Sequence, residues 1–316
     1  MRCLCCNEEI SPEDKDAIKI QWHKKCIKKF FGMETLPELE IDEKVLEELA
    51  NSAVSKGLTV PGVQKKLSVH LSKDKGNARL TIIDYPTGYI LKPQSSEYRS
   101  LPETEFMVMK MATLAGIKVV PNALMKYSDG YIYITKRIDR SKKGLLAMED
   151  FCQLSGRMTS DKYRSSYENC GKVIKKYAQN VGLDLAELYY RLLFCFITCN
   201  SDMHLKNFSL IETAPGSRIY GLSPAYDLLP VNMILPEDLD QMALSLNGKK
   251  RNIRKKDFLT LAQNLGIPDK TAISLMEKAA NLQDMIMEQV DLSYLSDDMK
   301  HGMKKLVEDR IKTITA

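Results

Sequence analysis

Apolar residues at Leu185, Leu188, Tyr189, Leu192, Leu193 and Phe196 recur at spacings of three and four, which predicts a helix with one buried face between Leu183 and Thr198. After it the period shortens. Phe208-Ser209-Leu210-Ile211 reads as a short strand, with Arg218-Ile219-Tyr220-Gly221-Leu222 as its hairpin partner across Thr213 to Ser217. In the first half of the chain, the alternation Leu67-Ser68-Val69-His70-Leu71 and the runs Arg79 to Asp84 and Gly88 to Lys92 predict three more strands. Ser100-Leu101-Pro102-Glu103 has the form of a capping box with proline in the first turn, opening a helix that Gly116 would stop. A hairpin follows, Val120 to Met125 and Tyr131 to Arg137, about the turn Tyr127-Ser128-Asp129-Gly130. From Asp257 onward the apolar positions keep a helical period.

Composition changes this picture little. At 316 residues, 44% hydrophobic and 28% charged, the chain is long enough for two cores and ordinary for a globular protein. It holds no apolar run of about 18 residues and no charged-then-apolar leader, so no membrane partner and a cytoplasmic location are expected. A net charge of +5 permits an anionic ligand without demanding nucleic acid. The basic run Lys249 to Lys256 is expected to be a solvated face, and direct nucleic-acid binding is not expected.

The cysteines form two populations. Cys195 and Cys199 lie on or beside the apolar helix, where a free thiol behaves as a small buried hydrophobe. Cys3-x2-Cys6 and His23-x2-Cys26, by contrast, are two ligand pairs with the spacing that wraps a tetrahedral ion, and they predict a structural Zn²⁺ site. Cys5 competes as a ligand, although adjacent cysteines rarely bind one ion together. Four protein ligands leave no open position for water, which argues against zinc catalysis. Trp22 and Phe30-Phe31 flank the second pair and are expected to pack against the rest of the molecule.

Directly after the long helix comes Asn200-Ser201-Asp202-Met203-His204-Leu205-Lys206-Asn207. Phosphoryl transfer needs a carboxylate to orient the attacking hydroxyl and accept its proton, and an amide oxygen to hold Mg²⁺ on the nucleotide phosphates. Asp202 and Asn207 fit those roles, and the hairpin that follows would return Asp227 as a second Mg²⁺ ligand. An Asp and an Asn at this spacing also cap ordinary turns, so the pair needs the rest of a nucleotide site. Lys56 to Lys66 supplies a candidate phosphate-covering loop, in which Gly62 admits close backbone approach and Thr59 adds a hydroxyl. Lys92 ends an apolar run, where its charge requires an anionic partner. Glu105, expected in the first turn of the next helix, suits an ion pair with it. The polar exit Lys136-Arg137-Ile138-Asp139 could meet a nucleotide, with Asp139 accepting from a ribose hydroxyl; a plain charged turn fits as well.

These segments together with Glu149-Asp150-Phe151-Cys152-Gln153, Pro224-Ala225-Tyr226-Asp227 and Met242 to Asn247 resemble the HipA-like Ser/Thr protein kinases, in order and spacing, over roughly residues 55 to 260. The resemblance implies an α+β, two-lobed kinase fold, a β-rich N-lobe at 36–140 and a mainly helical C-lobe at 141–316; the cysteine spacing places a small zinc module before them, at 1–35. It implies ATP and Mg²⁺ as cofactors, with Lys92 on the phosphates, Asp202 as catalytic carboxylate, and Asn207 and Asp227 on the metal. Thr59, Val60, Gly62, Val63, Glu105, Lys136, Ile138, Asp139, His204 and Lys206 complete the implied nucleotide site. It further implies a protein substrate such as an aminoacyl-tRNA synthetase, a DNA-binding antitoxin partner, and autophosphorylation of the Gly-rich loop. Thr59 occupies the position where serine is familiar. A phosphate there would be repelled by Asp202 and Asp227, so ejection of the loop is physically reasonable.

Two departures qualify the transfer. Lys136 stands where the family often has Glu, and the usual N-terminal subdomain is replaced by the zinc-knuckle-like segment. A separately encoded subunit could supply the missing part. Small-molecule kinases of the aminoglycoside or choline type share Asp202-x-His204-x2-Asn207, so they remain a rival, as does a nucleotide-binding pseudokinase adaptor.

Overall fold

The computed structural model describes residues 1–39, 67–74, 77–82, 88–141 and 143–316. They form two compact units, Met1–Lys110 with Val120–Arg137, and Met111–Val119 with Ile138–Ala316. Among the described residues no helix is long and apolar enough to cross a membrane.

The first unit is built on a six-stranded sheet. Its order is β1 (Glu38–Leu39), β3 (Asn77–Ile82), β2 (Leu67–Asp74), β4 (Tyr89–Lys92), β6 (Gly130–Lys136) and β5 (Asn122–Tyr127). β1 runs parallel to β3, and every other neighbouring pair is antiparallel. The predicted hairpin is therefore present as β5 and β6, with Tyr127 opposite Gly130. β4 is an interior strand, and Tyr89, Leu91 and Lys92 on it are all buried. The helix Leu101–Leu114 follows and runs from the first unit into the second. Two details differ from expectation. Ser100 adopts φ 51°, outside the extended region a capping serine uses, and the Leu101 N–H donates to Gln94 Oε1 (3.1 Å). Because the helix begins at Leu101, its first turn carries Glu103, and Glu105 falls just beyond.

The second unit is mainly helical. Its centre is the helix Val181–Ile197, which is buried all round from Leu188 to Ile197, more than the one-sided pattern predicted. Helices Tyr167–Tyr177, Lys255–Leu265, Asp269–Ala280 and Asp297–Thr315 pack on it. The long helix ends with Cys199 at φ 58°, a position usually taken by glycine, and the Asn200 N–H closes the turn onto Cys195 O (2.8 Å). The loop with the candidate chemistry thus starts from a fixed, buried helix end. Ahead of the helices, β7 (Arg140–Ser141) and β8 (Gly144–Leu145) pair with each other; after the loop come β10 (Ser209–Glu212) and β11 (Tyr220–Leu222), antiparallel as predicted, with β9 (Met148–Asp150) on the other side of β10. The basic run is not simply solvated: Lys249 pairs with the fully buried Asp257 (2.8 Å) and Arg251 with Asp240 (2.6 Å).

Helix Tyr167–Tyr177 comes close to its neighbours at Gly171, where an added Cβ would lie 2.2 Å from Leu265 Cδ2 and 3.5 Å from Leu185 Cδ2. Overpacking costs about 1–3 kcal/mol, and alanine recovers about 1 kcal/mol of helix propensity. Gly171→Ala is expected to destabilise by roughly 1 kcal/mol net, read as a lower thermal midpoint in calorimetry. A midpoint at or above wild type would show that Leu265 has room to turn aside.

Candidate functional site

Two groups of predicted residues come together, one in each unit. In the first unit, Lys92 at the end of β4 meets Glu105 of the next helix, with Nζ 2.6 Å from Oε1. Their side chains are 4% and 1% exposed, so each charge depends on the other. The Tyr133 ring, opposite Lys92 on β6, lies 5.4 Å from the ammonium. Lys136 ends β6, where its N–H donates to Pro121 O (2.9 Å). Thr59, Val60, Gly62 and Val63 lie outside the described residues.

The second unit holds the loop. Asp202 is buried, and the Tyr163 hydroxyl donates to its Oδ1 at 2.6 Å. Burial, then the charge of Asp202 and this hydrogen bond, push the Tyr163 hydroxyl well above the usual phenol range, so it stays a donor. The Asn207 side-chain NH₂ donates to the Asp202 carbonyl (2.9 Å), which folds the loop across both residues and leaves the amide oxygen at its other end. Oxygen is the ligand a hard divalent cation takes. Leu205–Asn207 form one 3₁₀ turn, and the Leu205 N–H donates to Lys162 O (3.2 Å). Buried His204 packs edge-on to Tyr163, with centroids 4.9 Å apart. Lys206 bonds Asp150 (2.7 Å) at the end of β9, and Asp150 also caps the short helix Phe151–Leu154.

Asp227 sits at φ 61°, a left-handed conformation that is strained for an aspartate. Its neighbour Tyr226 ties this segment to the loop, since the phenol meets Ser209 Oγ (2.5 Å) and donates to Lys206 O (3.1 Å). Ala225 is fixed as well, its N–H donating to Lys118 O (2.7 Å). Asp139 accepts the Leu146 N–H on its carbonyl (3.0 Å) and faces Arg140 at 3.6 Å, with half-buried Ile138 before it.

Behind the loop, Tyr167 donates to Met203 O (3.1 Å) and receives the Leu244 N–H (3.5 Å), which places the Met242 to Asn247 segment as a support. Ser201 donates to Asp238 (3.0 Å) and receives Asn232 Nδ2 (3.2 Å). Asn232 Oδ1 in turn receives Arg310 from the helix Asp297–Thr315 (2.9 Å). Tyr163, Asn232 and Arg310 were not singled out from sequence, because no local period marks them. Asp150 appeared there only as part of a similar segment.

Tyr163→Phe tests the first of these contacts. Losing a donor raises the pKa of a carboxylate, so the Asp202 carboxyl is expected to titrate at higher pH in Tyr163→Phe, read by carboxyl NMR on the folded protein. An unshifted titration would assign Tyr163 to packing alone.

Cys3, Cys6, His23 and Cys26 converge elsewhere in the first unit, with ligand atoms all within 4.8 Å of one another, a group able to hold a metal ion.

A family model described as HipA-like C-terminal domain matches residues 58–286. The chain is 33% identical over 248 residues to a protein of Sinorhizobium fredii named putative kinase Y4dM, covering 73% of this chain and 59% of that one. Against the serine/threonine-protein kinase toxin HipA of Shewanella oneidensis it is 26% identical over 248 residues, covering 71% and 55%. The chain thus spans a little over half the length of these relatives. Among solved structures, a chain of the Shewanella oneidensis MR-1 toxin–antitoxin complex of HipA, HipB and operator DNA is similar at TM-score 0.70 and 20% identity, over 88% of this chain and 72% of that one. The Helicobacter pylori proinflammatory kinase CtkA is similar at TM-score 0.55 and 16% identity, over 78% and 93%. At these identities the likeness shows the fold.

Proposed function

The chain belongs to the HipA-like kinase family, and from that premise we propose that it is an ATP- and Mg²⁺-dependent Ser/Thr protein kinase. The observation that carries the reading is the Asp202 to Asn207 loop, in which the Asn207 amide donates to the Asp202 main-chain carbonyl and so holds a buried carboxylate-bearing and a carboxamide-bearing residue in one turn. In this reading Asp202 orients the substrate hydroxyl and takes its proton, while Asn207 and Asp227 hold Mg²⁺ through oxygen. Lys92, kept in place by Glu105, binds the phosphates. Lys206 and His204 complete the loop, and Lys136, Ile138 and Asp139 are assigned to the base and ribose. Held by Asn207 and Asp227, Mg²⁺ would supply positive charge against the charge developing in phosphoryl transfer.

The acceptor is a protein hydroxyl, with an aminoacyl-tRNA synthetase as the substrate class and Thr59 as a site of self-modification. The complex of HipA with HipB and operator DNA supports a DNA-binding antitoxin as partner. The test is to incubate the purified protein with Mg²⁺ and ATP and map phosphosites by mass spectrometry. Phosphate on Thr59 or a neighbouring hydroxyl is expected. Robust phosphorylation of small alcohols would favour an aminoglycoside- or choline-type enzyme, and ATP binding with no transfer would favour a pseudokinase.

A further inference from the structure

The Cys3, Cys6, His23 and Cys26 group lies outside residues 58–286, so family membership does not account for it. A tetrahedral zinc with Zn–S about 2.3 Å and Zn–N about 2.0–2.1 Å places a bound sulfur and nitrogen roughly 3.6 Å apart. His23 Nδ1 lies 3.4 Å from Cys6 Sγ and 3.9 Å from Cys26 Sγ, on either side of that value. His23 Nε2 lies 3.2 Å from Glu9 O, the outer hydrogen bond that leaves Nδ1 bare for a metal. The His23 main-chain N–H points at Cys3 Sγ (3.4 Å), a donor suited to a thiolate. Cys5 is outside the group, so Cys6 is the one of the two adjacent cysteines assigned to the metal. Three thiolates and Zn²⁺ carry one net negative charge.

The group is also joined to the sheet. Leu4, between Cys3 and Cys5, accepts the Leu124 N–H of β5 (2.8 Å). Cys26 lies on the helix Lys24–Phe31, whose Phe30 and Phe31 rings stand 5.9 and 5.5 Å from the Tyr89 ring. The Tyr89 hydroxyl donates to Phe30 O (3.4 Å). Tyr89 opens β4, and Lys92 ends it.

We propose that Cys3, Cys6, His23 and Cys26 bind one Zn²⁺, and that its occupancy holds β4, and with it Lys92, in place. The consequence for nucleotide binding rests on the kinase reading; the metal site and its grip on β4 do not.

The test uses the full chain. Metal analysis is expected to find one zinc per chain in wild type and Cys5→Ser, and none in Cys6→Ser. Cobalt in place of zinc should give the intense absorption of tetrahedral thiolate ligation. Chelation should speed hydrogen exchange at the β4 amides, and re-adding zinc should restore protection. Substoichiometric zinc in wild type, or equal loss in Cys5→Ser and Cys6→Ser, would overturn the site. Stoichiometric zinc with unchanged β4 exchange would overturn the coupling. ATP affinity is expected to fall several-fold on chelation; a zinc-loaded protein that ignores ATP but protects β4 would sink the kinase reading and spare this one.

Discussion

Asp202→Asn is expected to slow phosphoryl transfer by roughly 10²–10⁴-fold, the range associated with a positioned general base. That is about 3–5 kcal/mol of lost transition-state stabilisation. The change is nearly isosteric and removes only the charge that would take the hydroxyl proton. The loop's internal clamp runs from Asn207 to the Asp202 main-chain oxygen, which the substitution leaves alone. An amide oxygen can still receive the Tyr163 hydroxyl. The thermal midpoint and ATP affinity should therefore stay near wild type while the single-turnover rate collapses. A rate within a few-fold of wild type would mean that Asp202 is not the base.

The second large effect is on stability. Glu105→Ala removes one member of a buried ion pair, a change that costs about 3–5 kcal/mol. Denaturant unfolding of the whole chain would measure it. Replacing both residues together, as Lys92→Met with Glu105→Leu, should recover most of that loss, because a buried pair exchanged for apolar groups of similar volume is often neutral. The double variant is nevertheless expected to lose nucleotide affinity. If it folds well and still binds ATP tightly, Lys92 has no phosphate to hold.

Local pattern made much of the fold readable. The hairpin of β5 and β6 follows from alternation about Gly130, and the helix Val181–Ile197 from its run of apolar residues. Lys92 could be picked out because a lysine closing an apolar strand must be compensated, and Glu105 stood where a compensating residue could come. The misses have physical causes. Ser100 matched a capping motif by residue type, but its backbone turned left-handed and Gln94 took the role of acceptor. Tyr163 and Asp150 meet the loop from 39 and 56 positions away, and Arg310 backs it indirectly through Asn232, 78 positions earlier; contacts of that kind leave no periodic trace in sequence. Cysteine spacing was informative for a different reason: two short ligand pairs restrict geometry so tightly that few other arrangements satisfy them.

Arg310 reaches Asn232, which braces Ser201 beside Asp202. During synthesis at about 5–20 residues per second, the strut follows Asp202 out of the ribosome by roughly 5–20 s. Over that interval a nascent chain carries the Asp202 loop without its brace, so the loop reaches its final geometry only once Arg310 has been made and has docked on Asn232.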